Sequence, residues 1–343
     1  MRFKDCIKNN RTYIIAEMSA NHGGSLVKAL EIVREAAKAG ADCLKIQTYT
    51  ADTITIDCDN EYFKLTTGLW KGYTRYELYK QAYTPWEWQQ QIKDECEKMG
   101  MDFLSTAFDD TSVDFLEKLG VDAYKIASFE LVDIPLIRKV AATGKTIFIS
   151  CGMGTKEEIE EAVKTIEEQG NKNYVLLKCT SEYPAVYEDM RISLIPVMRE
   201  KFGCMVGLSD HSLGYEADIV AVALGAKVIE KHFCISRDDE SVDAAFSTNK
   251  EEFAQLVEKV RLTEKMLGEP IFKLTQKEEN GRINRKSLFV VKDVKEGEEI
   301  TSENIKSIRP GHGLHTRHYD EVIGKKASRN LYRGEPLRED DYC

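Results

Sequence analysis

The sequence has no apolar run that approaches the roughly 20 residues needed to span a bilayer. Its first residues, MRFKDCIKNN, are polar, so no signal peptide is predicted. The nine cysteines are scattered and include no CxxC pair, which favours reduced thiols rather than disulfides. We therefore expect a cytoplasmic protein that does not associate with a membrane.

Basic residues are outnumbered by acidic ones, 48 against 58, and the formal net charge is −10. This balance argues against nucleic acid as the main partner, since nucleic-acid-binding surfaces are strongly basic. No GxGxxG motif follows the first predicted strand and no P-loop is present, so the sequence gives no sign of a nucleotide site. An anionic small substrate remains compatible with the composition if a few cations are placed locally.

Eight short apolar runs alternate with longer amphipathic stretches between residue 12 and about residue 267. The predicted strands are 12–17, 42–47, 102–107, 122–128, 146–151, 174–179, 204–209 and 227–233. Alternation of strands and helices indicates a parallel sheet, and eight units over this length predict a (β/α)8 TIM barrel. An open doubly wound sheet is the alternative.

Two further segments depart from this alternation. Residues 48–84 form a long connection rich in Tyr and Thr, and loops of such length in a compact domain are usually functional or disordered. After the predicted barrel (1–272) and a polar linker (273–285), residues 286–343 contain two similar phrases, VVKDVKEGEEITSENI and ASRNLYRGEPLREDDY. We predict that they form a small β-rich domain, which at this size needs a surface to pack on.

Each predicted strand ends in polar residues, and in a TIM barrel the active site lies at this end. The strand-end residues are Glu17, Asn21, His22, Lys45, Gln47, Ser105, Thr106, Lys125, Ser128, Glu130, Ser150, Ser181, Tyr183, Ser209, Asp210, His211, Glu230 and His232. Two lysines among several hydroxyls predict a site for a phosphate or carboxylate. Surface salt bridges are the alternative interpretation of these lysines.

The histidines suggest a metal site. His211 and His232 end neighbouring predicted strands, and Glu17 on the first strand is placed to complete a ring with them. Imidazoles near a carboxylate suit Mn, Fe or Zn, whereas a single histidine at a strand end is more often structural or catalytic. The remaining histidines in the loop RPGHGLHTRH (309–318) are expected at the surface or against a substrate rather than on a metal.

The motifs AEMSANHGG, KIQTYT, LSTAFD, YKIAS, SCGMG, CTSEYP, GLSDHS and EKHF occur in this order. Together they resemble the sialic acid synthase family, and RPGHGL resembles the antifreeze-like (SAF) domain that follows the barrel in those enzymes. The segment GLWKGYTRYELYKQAYTPWEW is most similar to the pseudaminic acid branch of the family. The resemblance covers nearly the whole chain.

This resemblance implies roles for individual residues. Glu17, His211 and His232 are the expected catalytic residues, with both histidines holding a divalent metal, Mn by preference and Mg or Co as alternatives. The expected phosphoenolpyruvate contacts are Lys45, Thr106, Lys125, Ser128, Ser150, Ser181 and Ser209, and the expected sugar contacts are Gln47, Tyr183, Asp243 and Arg309. Ser181 stands where the family often has Asn, and Arg309 is expected to act from the partner subunit of a domain-swapped homodimer.

The implied reaction condenses phosphoenolpyruvate with an amino-sugar aldehyde, releasing phosphate and a nine-carbon nonulosonic acid. Aromatic residues between 62 and 88 favour 2,4-diacetamido-2,4,6-trideoxy-altropyranose as the sugar, because apolar rings suit methyl and acetyl groups. The alternatives are N-acetylneuraminic or legionaminic acid synthesis and, more distantly, a metal-dependent sugar isomerase or aldolase. A non-catalytic interaction module would leave the polar strand ends without a purpose.

Overall fold

The computed structural model describes residues 2–68, 70–239 and 241–343, so Leu69 of the aromatic segment lies outside the described residues. The chain divides into two compact units, Met1–Gly268 and Glu269–Cys343, and each is described by itself. The predicted domain boundaries at 272 and 286 stay predictions. No helix within the described ranges is long and apolar enough to cross a membrane.

The first unit is a closed barrel of eight parallel strands that pair in sequence order, β1 with β2 through to β8 with β1. The strands are β1 (Tyr13–Glu17), β2 (Cys43–Thr48), β3 (Asp102–Ala107), β4 (Ala123–Ile126), β5 (Thr146–Ser150), β6 (Tyr174–Cys179), β7 (Met205–Asp210) and β8 (Val228–His232). This confirms the predicted TIM barrel, and the open doubly wound sheet is wrong.

Eleven helices belong to this unit, counted over its described residues. They are α1 (Arg2–Lys8), α2 (Leu26–Lys38), α3 (Ala51–Ile54), α4 (Arg75–Ala82), α5 (Trp86–Lys98), α6 (Asp110–Leu119), α7 (Ile134–Ala142), α8 (Lys156–Glu168), α9 (Leu194–Phe202), α10 (Glu216–Ala223) and α11 (Lys250–Leu267). Their starts follow local chemistry: the Thr155 hydroxyl accepts from Glu158 N, and the Glu158 carboxylate accepts from Thr155 N at 2.7 Å. This capping box fixes the first turn of α8.

Helix α1 is an element that the sequence pattern did not reveal. The ring of Phe3 in this helix packs edge-on against two other rings. Its centroid lies 5.2 Å from that of Tyr13 and 5.1 Å from that of Phe148. These rings belong to the apolar cluster that fills the barrel interior near the amino-terminal ends of the strands. The interior is therefore filled by apolar side chains at this end, where the Tyr13 hydroxyl donates to Asp102 at 2.8 Å.

Side chains two residues apart along a strand share one face. Tyr13 and Ile15 of β1 belong to the interior cluster, and Glu17 continues on the same side. The strand register then sets Glu17 beside Lys45 on β2 and His232 on β8. Alternation and register together bring Glu17, Lys45 and His232 into one interior layer, whereas Ser105 and Asp210 contact groups on the helix side of the sheet.

The described residues of the long connection after β2 include regular secondary structure. It contains α3, an antiparallel bridge between Lys64 and Thr74, and α4, whose first turn is capped by Thr74 and Glu77. This segment ends at α5 and lines the cavity described below.

The second unit contains a two-stranded antiparallel sheet of β9 (Ser287–Val290) and β10 (Ile305–Ile308), with short helices α12 (Gln276–Gly281) and α13 (Tyr319–Val322). Helix α12 lies inside the segment predicted as a linker. The two similar phrases adopt the same local form, a bridge, a turn and a second bridge, with Gly297 and Gly334 at φ of 79° and 97°. Glycine suits these turns because other residues rarely adopt positive φ.

Candidate active site

One side of the barrel mouth holds a buried ion pair. Lys45 Nζ lies 2.8 Å from Glu17 Oε2 and donates to Thr106 Oγ1 at 3.2 Å. Gln47 Nε2 donates to the other oxygen of Glu17 at 3.0 Å and to Ser19 Oγ at the same distance. Glu17 is thus held from two sides, which fixes its orientation.

A second cationic group lies across the mouth. Lys125 Nζ, only 2% exposed, donates to Ser150 Oγ at 2.7 Å and lies 3.6 Å from Glu230 Oε1. The same Glu230 oxygen accepts from Ser209 Oγ at 3.0 Å and lies 3.7 Å from Lys45 Nζ. Glu230 therefore bridges the two lysines, and hydroxyls from two other strands surround them.

The pKa values in this layer move in different directions. Burial raises the pKa of Glu17 above its ordinary value and outweighs the effect of Lys45. Burial also acts on Glu230, but Lys125 and Lys45 outweigh it and lower the pKa of that carboxyl. Burial lowers the pKa of Lys125, with Glu230 opposing. The two lysines share Glu230, and Lys45 also pairs with Glu17, so an anionic ligand would take its contacts from both ammonium groups and from the hydroxyls beside them.

The two predicted metal-binding histidines are neighbours. The rings of His211 and His232 lie 5.3 Å apart, and Tyr183 packs on both at 4.4 and 6.2 Å. His211 Nδ1 lies 2.9 Å from Thr180 O and 3.8 Å from Cys179 Sγ. These contacts orient the His211 ring and engage its Nδ1.

The His232 ring has a free coordinating atom. His232 Nδ1 is buried and has no hydrogen-bond partner within the described residues. Burial lowers the pKa of His232 well below its ordinary value, so the ring is neutral, which is the form that binds metals. Among the described residues, no three His, Cys, Asp or Glu side chains form a metal-binding group. Glu17 therefore does not complete a metal-binding group with the two imidazoles. The imidazole pair fits a divalent ion that takes its other ligands from substrate and water.

Two more of the predicted phosphoenolpyruvate contacts meet at the ends of β4 to β6. Gly152 N donates to Ser128 Oγ at 3.0 Å. A Cβ built on Gly152 would lie 2.3 Å from Ser181 Oγ and 2.8 Å from Ser128 Oγ, so a larger residue there would displace these hydroxyls. Two hydroxyls and a backbone amide therefore converge, as suits an oxyanion.

A cavity of about 450 Å³ opens above the imidazoles. Its polar lining includes all three barrel residues predicted to face the sugar, Gln47, Tyr183 and Asp243. Its apolar wall includes Trp70, whose ring lies 6.0 Å from that of Tyr183 and 6.4 Å from that of Phe246. The cavity thus combines a few oriented polar groups with aromatic surface, as ligand sites commonly do.

The remaining predicted site residue lies in the other unit. Arg309 follows β10 and is exposed, with a cis peptide bond to Pro310. In the same loop, His315 Nδ1 accepts from Arg317 N, and His318 Nδ1 lies 2.8 Å from Glu321. The roles of this loop stay predictions.

Four residues of the site received no individual role from the sequence. Glu230 and Glu130 were recognised only as strand-end residues, and in the structure Glu230 bridges the lysines and Glu130 lines the cavity. Burial raises the pKa of Glu130 to about 7. Trp70 belongs to the aromatic segment that was expected to favour the sugar, and it forms the apolar wall together with Phe246, which no local pattern marks.

Comparison with known proteins identifies close relatives. The family model described as the NeuB family matches residues 32–272, and the SAF domain model matches residues 285–342. Pseudaminic acid synthase of Campylobacter jejuni subsp. jejuni serotype O:23/36 (strain 81-176) is 44% identical over 97% of each chain. Pseudaminic acid synthase of Helicobacter pylori (strain 26695) is 39% identical over 96% of this chain and 97% of its own.

A solved structure of the same kind also matches. It is an N-acetylneuraminic acid (sialic acid) synthetase from Leptospira borgpetersenii serovar Hardjo-bovis, in complex with citrate. It is 32% identical, with a TM-score of 0.72, and covers 80% of this chain and 90% of its own. The resemblance predicted from the sequence motifs is confirmed.

Proposed function

Because the chain belongs to the NeuB family and carries an SAF domain, we propose that it is a pseudaminic acid synthase. It condenses phosphoenolpyruvate with 2,4-diacetamido-2,4,6-trideoxy-altropyranose in its open aldehyde form and releases phosphate and a nine-carbon acid. Two pseudaminic acid synthases, at 44% and 39% identity, support this substrate over that of the sialic acid synthetase at 32%. N-acetylneuraminic or legionaminic acid synthesis is the alternative.

The observation that carries the proposal is the juxtaposition of an anion site with an imidazole pair. Lys45 and Lys125 converge on Glu230 and lie among hydroxyls, as binding of a phosphate and a carboxylate requires. The imidazole pair and the cavity lie beside them on the strands that close the barrel. An isomerase or aldolase that acts on an unphosphorylated sugar needs the imidazole pair and the cavity but not the anion site.

Each step of the condensation has a candidate group. C3 of phosphoenolpyruvate attacks the aldehyde carbon, which needs no base because the enol ester is already nucleophilic. Positive charge then develops at C2, and the Glu17 carboxylate, held by Lys45 and Gln47, is oriented to stabilise it. Water adds at C2, and one of its protons passes to the alkoxide oxygen formed from the aldehyde while the other leaves with the phosphate. The phosphate then leaves by cleavage of the C2–O bond while Lys125 and the hydroxyls retain its charge.

His211 and His232 would hold the divalent metal, with Mn preferred. When bound, such an ion supplies Lewis-acid polarisation of the aldehyde. His232 lines the sugar cavity, and Tyr183 packs against the rings of both His232 and His211 and limits their movement. Gln47, Tyr183 and Asp243 would position the sugar above C3 of phosphoenolpyruvate.

The SAF domain is proposed to complete the site of the partner subunit. It is a small unit, and domains of this size are marginal alone. Arg309 offers a planar cation for the acetyl oxygen of the sugar. We accordingly propose a domain-swapped cytoplasmic homodimer with reciprocal active sites.

The fate of the bridging oxygen of phosphoenolpyruvate tests the proposed mechanism. With 18O at this position, C–O cleavage places the label in the released phosphate, and mass spectrometry of the phosphate measures it. Label retained in the organic product would contradict the mechanism. Aldehyde turnover with no phosphate release would favour an isomerase or aldolase.

A further inference from the structure

A second cavity, of about 600 Å³, opens between β6 and the helices α8 and α9. Lys178 of β6 forms part of its wall on the side of the strand that faces the helices, opposite the barrel interior where Leu177 lies. Leu176, on the same face as Lys178, belongs to the apolar layer between sheet and helices. A lysine in such a layer is costly, because burial disfavours the ammonium ion.

Lys178 has no anionic partner. The residue is 8% exposed, and its Nζ donates to Cys179 O at 2.7 Å and Thr180 Oγ1 at 3.3 Å, both neutral acceptors. Within the described part of the chain, no carboxylate pairs with Lys178 or with Arg191, which also lines the cavity. Burial lowers the pKa of Lys178, and the Arg191 charge acts in the same direction.

The lining carries charged groups of both signs. It contains four basic side chains, Lys156, Lys178, Arg191 and Lys201, and two carboxylates, those of Glu182 and Asp189. Lys156 and Lys201 pair with Glu160 outside the lining. Among the residues that the structure describes, Lys178, Arg191 and the two carboxylates form no ion pair, and of these Lys178 is the buried one, so a bound anion would supply the partner that its ammonium group lacks.

One residue joins this cavity to the predicted phosphoenolpyruvate site. Ser181 lines the cavity, and its hydroxyl also lies near Ser128 where the two converge on Gly152. We propose that the cavity is a second anion site that binds inorganic phosphate, the ion that the condensation releases. The identification of the reaction as the source of the phosphate rests on the proposed function. The evidence for an anion site in this cavity is independent of it and comes from Lys178 and Arg191.

The test is calorimetric titration of the full-length, Mn-loaded chain with phosphate at constant ionic strength, with and without phosphoenolpyruvate. Two phosphates per chain are expected, of which phosphoenolpyruvate displaces one. Lys178→Met and Arg191→Gln should each weaken the other phosphate about tenfold or more, the loss expected for one charge-assisted contact. Lys164→Met, on the same helix layer but outside the cavity, should bind as the wild type does.

A single phosphate that phosphoenolpyruvate displaces fully would overturn the inference, as would unchanged binding in both cavity variants. If Lys178 serves only to cap the strand end, its replacement lowers stability without changing the number of phosphates bound. Should Lys178→Met fail to fold, Arg191→Gln decides, because Arg191 is exposed. Lys125→Met separates the two claims: it should remove only the phosphate that phosphoenolpyruvate displaces, and its failure to do so would count against the proposed function alone.

Discussion

Replacement of Lys125 by Met removes one cation from the proposed phosphoenolpyruvate site with little change in volume. The lost ammonium group is 2% exposed and lies 2.7 Å from Ser150 Oγ, so its contact with an anion is desolvated. Loss of such a contact costs about 2–4 kcal/mol, which corresponds to about 30- to 1,000-fold in kcat/KM for phosphoenolpyruvate. Glu230 keeps Ser209 at 3.0 Å and Lys45 at 3.7 Å, so it is not left unpaired.

The free energy of unfolding should consequently change by less than about 2 kcal/mol. Initial rates of phosphate release against phosphoenolpyruvate concentration measure the kinetic effect, and urea unfolding measures the stability. Lys164→Met, a change of the same kind at an exposed position, serves as the control. A folded Lys125→Met enzyme with wild-type phosphoenolpyruvate kinetics would refute the placement of the anion.

Four more predictions concern other parts of the molecule. Chelation should abolish phosphate release and Mn should restore it; full activity in enzyme shown by mass spectrometry to be metal-free would reject the imidazole pair as ligands. Because burial raises the pKa of Glu130 to about 7, the carboxyl stabilises the fold at low pH, and this contribution is lost as pH rises from about 4.5 to 7. Glu130→Gln should then gain about 2–3 kcal/mol over the wild type between pH 5 and pH 8 in urea unfolding, and parallel pH profiles would contradict this. Trp70→Ala should raise KM for the diacetamido sugar about tenfold, since an aromatic wall is lost, with less effect on N-acetylmannosamine; equal effects would remove Trp70 from substrate choice. Mixing Arg309→Ala with His211→Ala subunits should restore about a quarter of the wild-type rate if Arg309 acts in the partner's site, and no recovery despite subunit exchange would place it elsewhere.

Periodicity and strand-end polarity were sufficient to predict the barrel. Apolar runs such as YVLLKC gave β6 at residues 174–179, because a strand buried on both faces is a nearly continuous apolar run. Helix α1 escaped prediction, since seven residues with only Phe3 and Cys6 buried carry too little periodicity. Its helical form depends on packing against the barrel interior.

The active site likewise contains features that the sequence predicted and features that it did not. Parallel strands end at one edge, and alternation decides which strand-end residues face inward: Lys45 and Lys125 meet at Glu230, whereas Ser105 and Asp210 face the helices. The bridging position of Glu230 depends on the register of three strands, and the approach of Trp70 to Phe246 joins segments far apart in the chain. Such relations arise from tertiary packing, which no local pattern encodes.

The most direct test of the proposed function is a comparison of sugars with the purified chain. Mn, phosphoenolpyruvate and one of three sugars are supplied: the 2,4-diacetamido-2,4,6-trideoxy-altropyranose precursor, the corresponding legionaminic precursor, or N-acetylmannosamine. Phosphate release gives kcat/KM, and mass spectrometry identifies the nine-carbon product. The account predicts the highest kcat/KM for the pseudaminic precursor, with one phosphate formed per product. A higher kcat/KM for N-acetylmannosamine or the legionaminic precursor would contradict it.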